Sequence, residues 1–226
     1  KRNIVGVAAA HPETARRGVL LRRFGQEVIR VTAGKRIHGT GSIPGGVNKS
    51  VTRQERDALL ADIYDMVSWS RGAVALAKEL HGKDPALYNS FGVFRSNMMS
   101  LVAPDGGLDF YDGSLCARDE AGGIIFDHVD YRDYHGHIRE EVKPWSYMKF
   151  PFLSALGAEK GWYKVGPLAR VQNCDHIPTP LADAERREFV DYAGGSPIHA
   201  PLAYHWARMI EMLHAAETIK DLLHDD

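Results

Sequence analysis

The chain has 226 residues, 44% hydrophobic and 25% charged, enough for a sizeable packed core. Lys and Arg number 28 against 29 Asp and Glu, a formal net charge of −1, which leaves no basic excess for a nucleic-acid partner. No apolar stretch approaches the roughly 20 residues of a membrane span, and two cysteines, Cys116 and Cys174, make no disulfide framework.

The start, Lys1 to Ala10, is basic then apolar in the manner of a signal peptide. It lacks an initiator Met and runs straight into a helix start at His11-Pro12-Glu13, so it is read as a chain beginning in mid-sequence. Pro12 suits a first helical position. Val19, Leu20, Phe24, Val28, Ile29 and Val31 recur at helical spacing up to a stop at Gly34. Arg16-Arg17 and Arg22-Arg23 fall on this helix as a local basic stripe, read as a solvated face or a contact to an acidic neighbour.

A Gly-rich loop from Gly39 to Val47 follows. Thr52 with Glu55 forms a capping box, and a long helix is expected from there toward Leu80, closed by Gly82, with Ile63, Met66, Val67, Val74 and Leu76 as its buried stripe. The runs Gly92–Leu101, Gly107–Cys116 and Gly123–Val129, parted by Asp105-Gly106-Gly107 and Ala121-Gly122-Gly123, read as a β-meander. A short helix is expected over Tyr134 to Val142, then a Pro- and aromatic-rich stretch to Pro180 with little periodicity. Helix returns from Leu181 to Tyr192, stops at Gly194-Gly195, and runs again from Pro201 to Leu223. The expected architecture is one α+β domain over residues 1–226, mostly helical, with an antiparallel β insert near 92–130.

Chemistry-bearing residues are sparse. His38 sits in a Gly-bounded loop after a helix, which fits either an ordinary loop histidine or one beside a ligand or cluster. His128, His135 and His137 lie near Asp127, Asp130 and Asp133 without a cysteine close by, and are read as a solvated polar turn. His205 and His214, nine apart on one helix, point to opposite sides, and His199 joins no ligand pattern. Cys116 is expected to be buried and inert. Cys174, in a polar loop beside Asp175 and His176, leaves a thiolate–imidazole pair conceivable. No metalloprotease, serine-hydrolase or phosphate-loop signature occurs.

Five segments carry a resemblance. They are Phe24 to Ile29, Gly34-Lys35-Arg36-Ile37-His38-Gly39 with Ser42 to Val47, Lys143 to Pro151, Val165-Gly166-Pro167-Leu168-Ala169-Arg170, and Tyr204 to Glu217. In this order they resemble the large subunit of nickel-iron hydrogenases over nearly the whole chain, with the Trp145-Ser146-Tyr147-Met148-Lys149-Phe150-Pro151 variant similar to the cytoplasmic, bidirectional NAD-reducing group. That resemblance implies reversible H2 oxidation at a nickel-iron centre. It further implies a small subunit with iron-sulfur clusters, flavin-bearing diaphorase subunits and a cytoplasmic location. The family holds its metals with four cysteines in two C-x-x-C pairs, and neither pair is present here. The resemblance therefore implies a central fragment with the ligand cysteines beyond both ends and no catalytic or metal residue within it. His38 matches the histidine on the small-subunit, proximal-cluster side. Lys149 and Arg170 match residues that orient the core or line an interface, as does Arg208, which with Glu211 also reads as an ordinary helical pair. A second reading is a metal-free scaffold or quinone-site subunit related to respiratory complex I. The flanking sequence separates the two.

Overall fold

The computed structural model describes residues 3–225. Lys1 and Arg2, the basic part of the basic-then-apolar start, lie outside the described residues. The apolar part is itself a helix that the sequence reading missed, α1 (Ile4–Ala10), whose first turn is capped by Asn3 accepting from the Gly6 N–H at 3.0 Å. It stops at His11, because Pro12 opens α2 (Pro12–Ala33) at a first-turn position where its missing N–H is no loss. At the other end Gly34 takes φ 82°, the left-handed cap, and its N–H returns to the Arg30 carbonyl. The basic stripe is partly neutralised within the helix, since Arg16 and Arg17 both reach Glu13, at 3.1 and 3.0 Å.

A two-residue-strand hairpin follows, β1 (Ser42–Ile43) with β2 (Gly46–Val47) around Pro44-Gly45. Then α3 (Arg53–Lys83) begins at the expected capping box: the Glu55 N–H donates to Thr52 Oγ1 at 3.2 Å and the Thr52 N–H to Glu55 Oε2 at 3.1 Å. The helix does not close at Gly82. It runs one residue further and stops before Asp84-Pro85, where Asp84 caps α4 (Pro85–Ser90) and proline disfavours helical backbone in the residue before it.

The chain divides into two compact units. One takes the residues up to Ala73 and again those from Ala215, and the other spans Val74–His214. In the first, Phe24 and Val31 of α2 pack on Leu59, Ile63 and Met66 of α3 and on Leu223. The expected α2 stripe was too wide, because Val19 and Ile29 stand in solvent. On α3 Ile63, Met66 and Val74 are buried as expected, while Leu76 is exposed.

The second unit is built on a four-stranded sheet with strands β3 (Asn97–Val102), β4 (Ser114–Arg118) and β5 (Ile124–Val129) as the expected antiparallel meander. The expected helix over Tyr134 to Val142 is corrected. Only α5 (Tyr134–His137) is helical, and β6 (Ile138–Val142) pairs with β7 (Lys149–Leu153), Ile138 facing Leu153 and Val142 facing Lys149. Arg139, Glu140 and Glu141 favour helix locally, but hairpin partners nine to thirteen positions downstream override them. After α6 (Gly157–Lys160), β8 (Tyr163–Lys164) joins the edge of β3 in parallel, tied by Asn97 Nδ2 donating to the Lys160 and Trp162 carbonyls at 2.8 Å each. Helix α7 (Pro167–Asn173) covers β3 with Leu168, Ala169 and Val171 fully buried. Then α8 (Pro180–Tyr192) ends at Gly194-Gly195. The last helix, α9 (Ala203–His224), buries Ala203, Ala207, Ile210 and Leu213. The result is an α+β fold, mostly helical with small sheets.

Candidate functional site

The loop that carries His38 is folded back on the end of α2. The Thr40 N–H donates to the Ala33 carbonyl at 3.2 Å, and Asn48 closes the other side with its N–H on the Gly41 carbonyl at 2.9 Å. Gly39 is demanded by this path, because a Cβ there would lie 2.5 Å from Ala33 Cβ. His38 itself has φ 51°, a left-handed conformation that a residue with a side chain rarely adopts, and its imidazole stands in solvent. Around it the loop and hairpin expose Ile37, Ile43 and Val47. His38 and these apolar side chains therefore lie at the surface and not in the core.

In the second unit the remaining candidates separate. Arg170 on α7 closes a bidentate pair with Glu211 on α9, Nε to Oε1 at 2.6 Å and Nη2 to Oε2 at 2.8 Å. The expected Arg208–Glu211 pair is therefore corrected. Glu211 is only 8% exposed and turns inward to Arg170, while Arg208, three residues earlier, faces solvent and makes no ion pair among the described residues. The Arg170 guanidinium also lies over the Phe110 ring, 5.2 Å from its centre, and that ring lies 5.7 Å from His214. His214, buried one turn beyond Glu211 on the same helix, shares a hydrogen bond with Thr179 Oγ1 at 3.0 Å. Sequence reasoning missed Glu211, His214, Thr179 and Phe110 as one cluster. The available signal was two polar residues three apart on a helix otherwise rich in Ala, Ile, Leu and Met.

Lys149 pairs with Glu140 across the β6–β7 hairpin at 3.4 Å with both side chains largely in water, a contact of little stabilising value. The hairpin tip beside it exposes Trp145 and Tyr147, 74% and 98%. The histidines near Asp127 do not converge: His137 packs on Phe126, His135 on Tyr134, and His128 reaches Asp127 at 3.1 Å. His205 is exposed where His214 is buried, as their spacing requires.

The expected polar-loop thiol is also corrected. Cys174 is buried at the end of α7, where burial pushes its thiol pKa up, and His176 turns to Asp105 at 3.4 Å. Burial, reinforced by the Asp127 carboxylate, pushes the Cys116 thiol up to about 12. Both thiols are buried, and among the described residues no three His, Cys, Asp or Glu converge as a metal site. The donor set present does not fit a nickel-iron centre.

The fold is that of the large subunit of nickel-iron hydrogenases. It superposes on the NAD+-reducing nickel-iron hydrogenase in its H2-reduced state with a TM-score of 0.94 and 49% identity, over 99% of this chain and 50% of that one. The nickel-iron-selenium hydrogenase of Desulfomicrobium baculatum shares the fold at a TM-score of 0.71 and 16% identity, over 99% and 51% of the two chains. In sequence the chain is 40% identical over 231 residues to the NAD-reducing hydrogenase HoxS subunit beta of Cupriavidus necator, covering all of this chain and 47% of that subunit. The chain spans about half the length of the curated relatives it matches. No protein-family model matches it. Among the described residues no helix is long and apolar enough to cross a membrane.

Proposed function

We propose that the chain is the central part of the catalytic large subunit of a cytoplasmic nickel-iron hydrogenase. The whole enzyme would catalyse reversible H2 oxidation coupled to NAD(P) through an iron-sulfur small subunit and a flavin-bearing diaphorase. The observation that carries this reading is the superposition at a TM-score of 0.94 and 49% identity over 99% of this chain. A nickel-iron centre held by the whole subunit would supply the cleavage of H2. In this reading its cysteine ligands belong to sequence beyond these 226 residues, and what the present residues do is frame and connect.

His38 faces the small subunit, with Ile37, Ile43 and Val47 as the apolar rim that docks. An imidazole N–H presented there by the glycine-braced loop would sit where it can tune a cluster's potential and ease electron exit. Arg170 acts within the subunit, holding α7 to α9 through Glu211. Arg208, exposed and without an ion pair among the described residues, and Lys149, weakly paired, have charge to offer a partner carboxylate.

The test is His38→Ala in the complete enzyme. Electron transfer to the acceptor is expected to slow far more than hydrogen–deuterium exchange at the metal, and equal loss of both refutes the cluster-side role. Reading the parent gene tests the assignment itself: two C-x-x-C pairs flanking this segment support it, and their absence returns the chain to a metal-free scaffold.

A further inference from the structure

One largely covered arginine of the second unit, Arg118, is left without an adequate partner among the described residues. Arg118, at the end of β4, lines a cleft of about 220 Å³ with Met98, Gly122, Gln172, Val190 and Ser196. Its Nε is buried and meets no acceptor. Its Nη1 and Nη2 reach the Gly122 and Asn173 carbonyls only at 3.4 and 3.5 Å, the far edge of hydrogen bonding. The carboxylate it meets, Asp175, stands 3.9 Å away on a side chain that is 74% exposed. Arg170 is covered to almost the same degree and closes on Glu211 at 2.6 Å, so the second unit shows what a satisfied guanidinium looks like.

Three other polar side chains of the cleft are already committed within the fold. Gln172 Nε2 donates to the Leu168 and Ile198 carbonyls and its Oε1 accepts from the Ile198 N–H at 2.6 Å. Asn173 Nδ2 donates to Ser100 Oγ at 3.1 Å. Asp119 Oδ1 takes the Ala121 and Gly123 N–H groups, both at 2.8 Å. What remains is a cation facing a cleft whose Met98 and Val190 walls lower the local dielectric and strengthen any charge pairing inside it. A half-buried cation without a close counter-ion calls for an anion, and a guanidinium calls for one that offers two oxygens at once. The cleft is smaller than the roughly 300–1,000 Å³ of sites for larger organic ligands.

From this we propose that Arg118 and its cleft form a binding site for a small oxyanion, inorganic phosphate or a short carboxylate, with Asp175 as the internal competitor for the guanidinium. The cleft shares no lining residue with the His38 loop or the Arg170 cluster, and the proposal stands whether or not the hydrogenase assignment holds.

Isothermal titration of the full chain at fixed ionic strength with phosphate, acetate and chloride provides the test. Saturable heat is expected with phosphate or acetate and none with chloride, and the anion that saturates names the source. Arg118→Met is expected to weaken binding at least about tenfold, the loss of a charge-assisted fork. Asp175→Asn moves the other way, tightening binding roughly threefold by removing the competing carboxylate. Asp175 is a surface residue, so this variant decides the matter if Arg118→Met does not fold. Chloride binding as well as the oxyanions, no saturable heat from any anion, undiminished binding in Arg118→Met, or no gain in Asp175→Asn each overturns the proposal.

Discussion

Arg170 and Glu211 meet across 41 positions of sequence in a fork-to-fork ion pair, at 2.6 and 2.8 Å, that ties α7 to α9. The carboxylate is the more buried partner and depends on the guanidinium to tolerate that burial. Removing only the arginine, as Arg170→Ala, should cost about 3 kcal/mol, because it strands a buried charge. The joint change Arg170→Met with Glu211→Leu should recover most of that loss. A double-mutant cycle by urea unfolding measures the difference, and simple additivity of the single changes would show that the pair is not coupled.

His38 gives a second contrast. Its φ of 51° is a backbone state that costs a residue with a side chain roughly 1 kcal/mol and costs glycine almost nothing. His38→Gly should therefore leave thermal stability equal or slightly raised while losing whatever the imidazole does for electron exit. A drop in melting temperature would mean that the side chain is held by contacts within the fold.

The start of α3 makes its stability depend on acid. The Lys49 ammonium, then the Thr52 N–H and hydroxyl, hold the Glu55 carboxyl down to about 2, below its ordinary 4.5. A depressed carboxyl contributes stability that is present above pH 4.5 and lost as pH falls through about 2. Glu55→Gln should flatten this acid dependence in circular-dichroism melts. Thr52→Ala should cost about 1 kcal/mol at neutral pH, a typical N-cap loss.

Cys116 should resist iodoacetamide at pH 8 in the native protein and react once the chain is unfolded. Its thiol is raised from 9.0 to about 12, so above pH 9 the unfolded chain releases the proton first. Stability from this group therefore declines as pH rises from 9 toward 12. Cys116→Ala should reduce that alkaline decline, and rapid native alkylation would contradict the burial.

The 226-residue chain purified alone is expected to hold no stoichiometric nickel. Elemental analysis finding one nickel per chain would show a ligand set other than the family's thiolates.

The local devices were legible in advance. The Thr52–Glu55 box, the Gly34 stop, the meander with its Asp105-Gly106-Gly107 and Ala121-Gly122-Gly123 turns, and the helix start near Pro180 each depend on residues a few positions apart. Asn3 is the same kind of signal, and α1 was missed although its cap lies only three residues before the N–H that it accepts from. The order of loop motifs around His38, Lys149 and Arg170 was also on the page, and it carried the hydrogenase-like fold.

What only tertiary structure decided were partnerships over distance. Ile138–Val142 became a strand because Lys149–Leu153 was there to pair with it, and helix propensity along Arg139-Glu140-Glu141 could not compete with that ladder. Glu211 chose Arg170 over Arg208 because burial faced it inward, where a bidentate partner outweighs an exposed neighbour one turn away. Arg118 found no such partner among the described residues, and nothing in the sequence around it announces that. Residue spacing settles what a helix or turn can do within itself, whereas the meeting of side chains 41 positions apart is settled by packing alone.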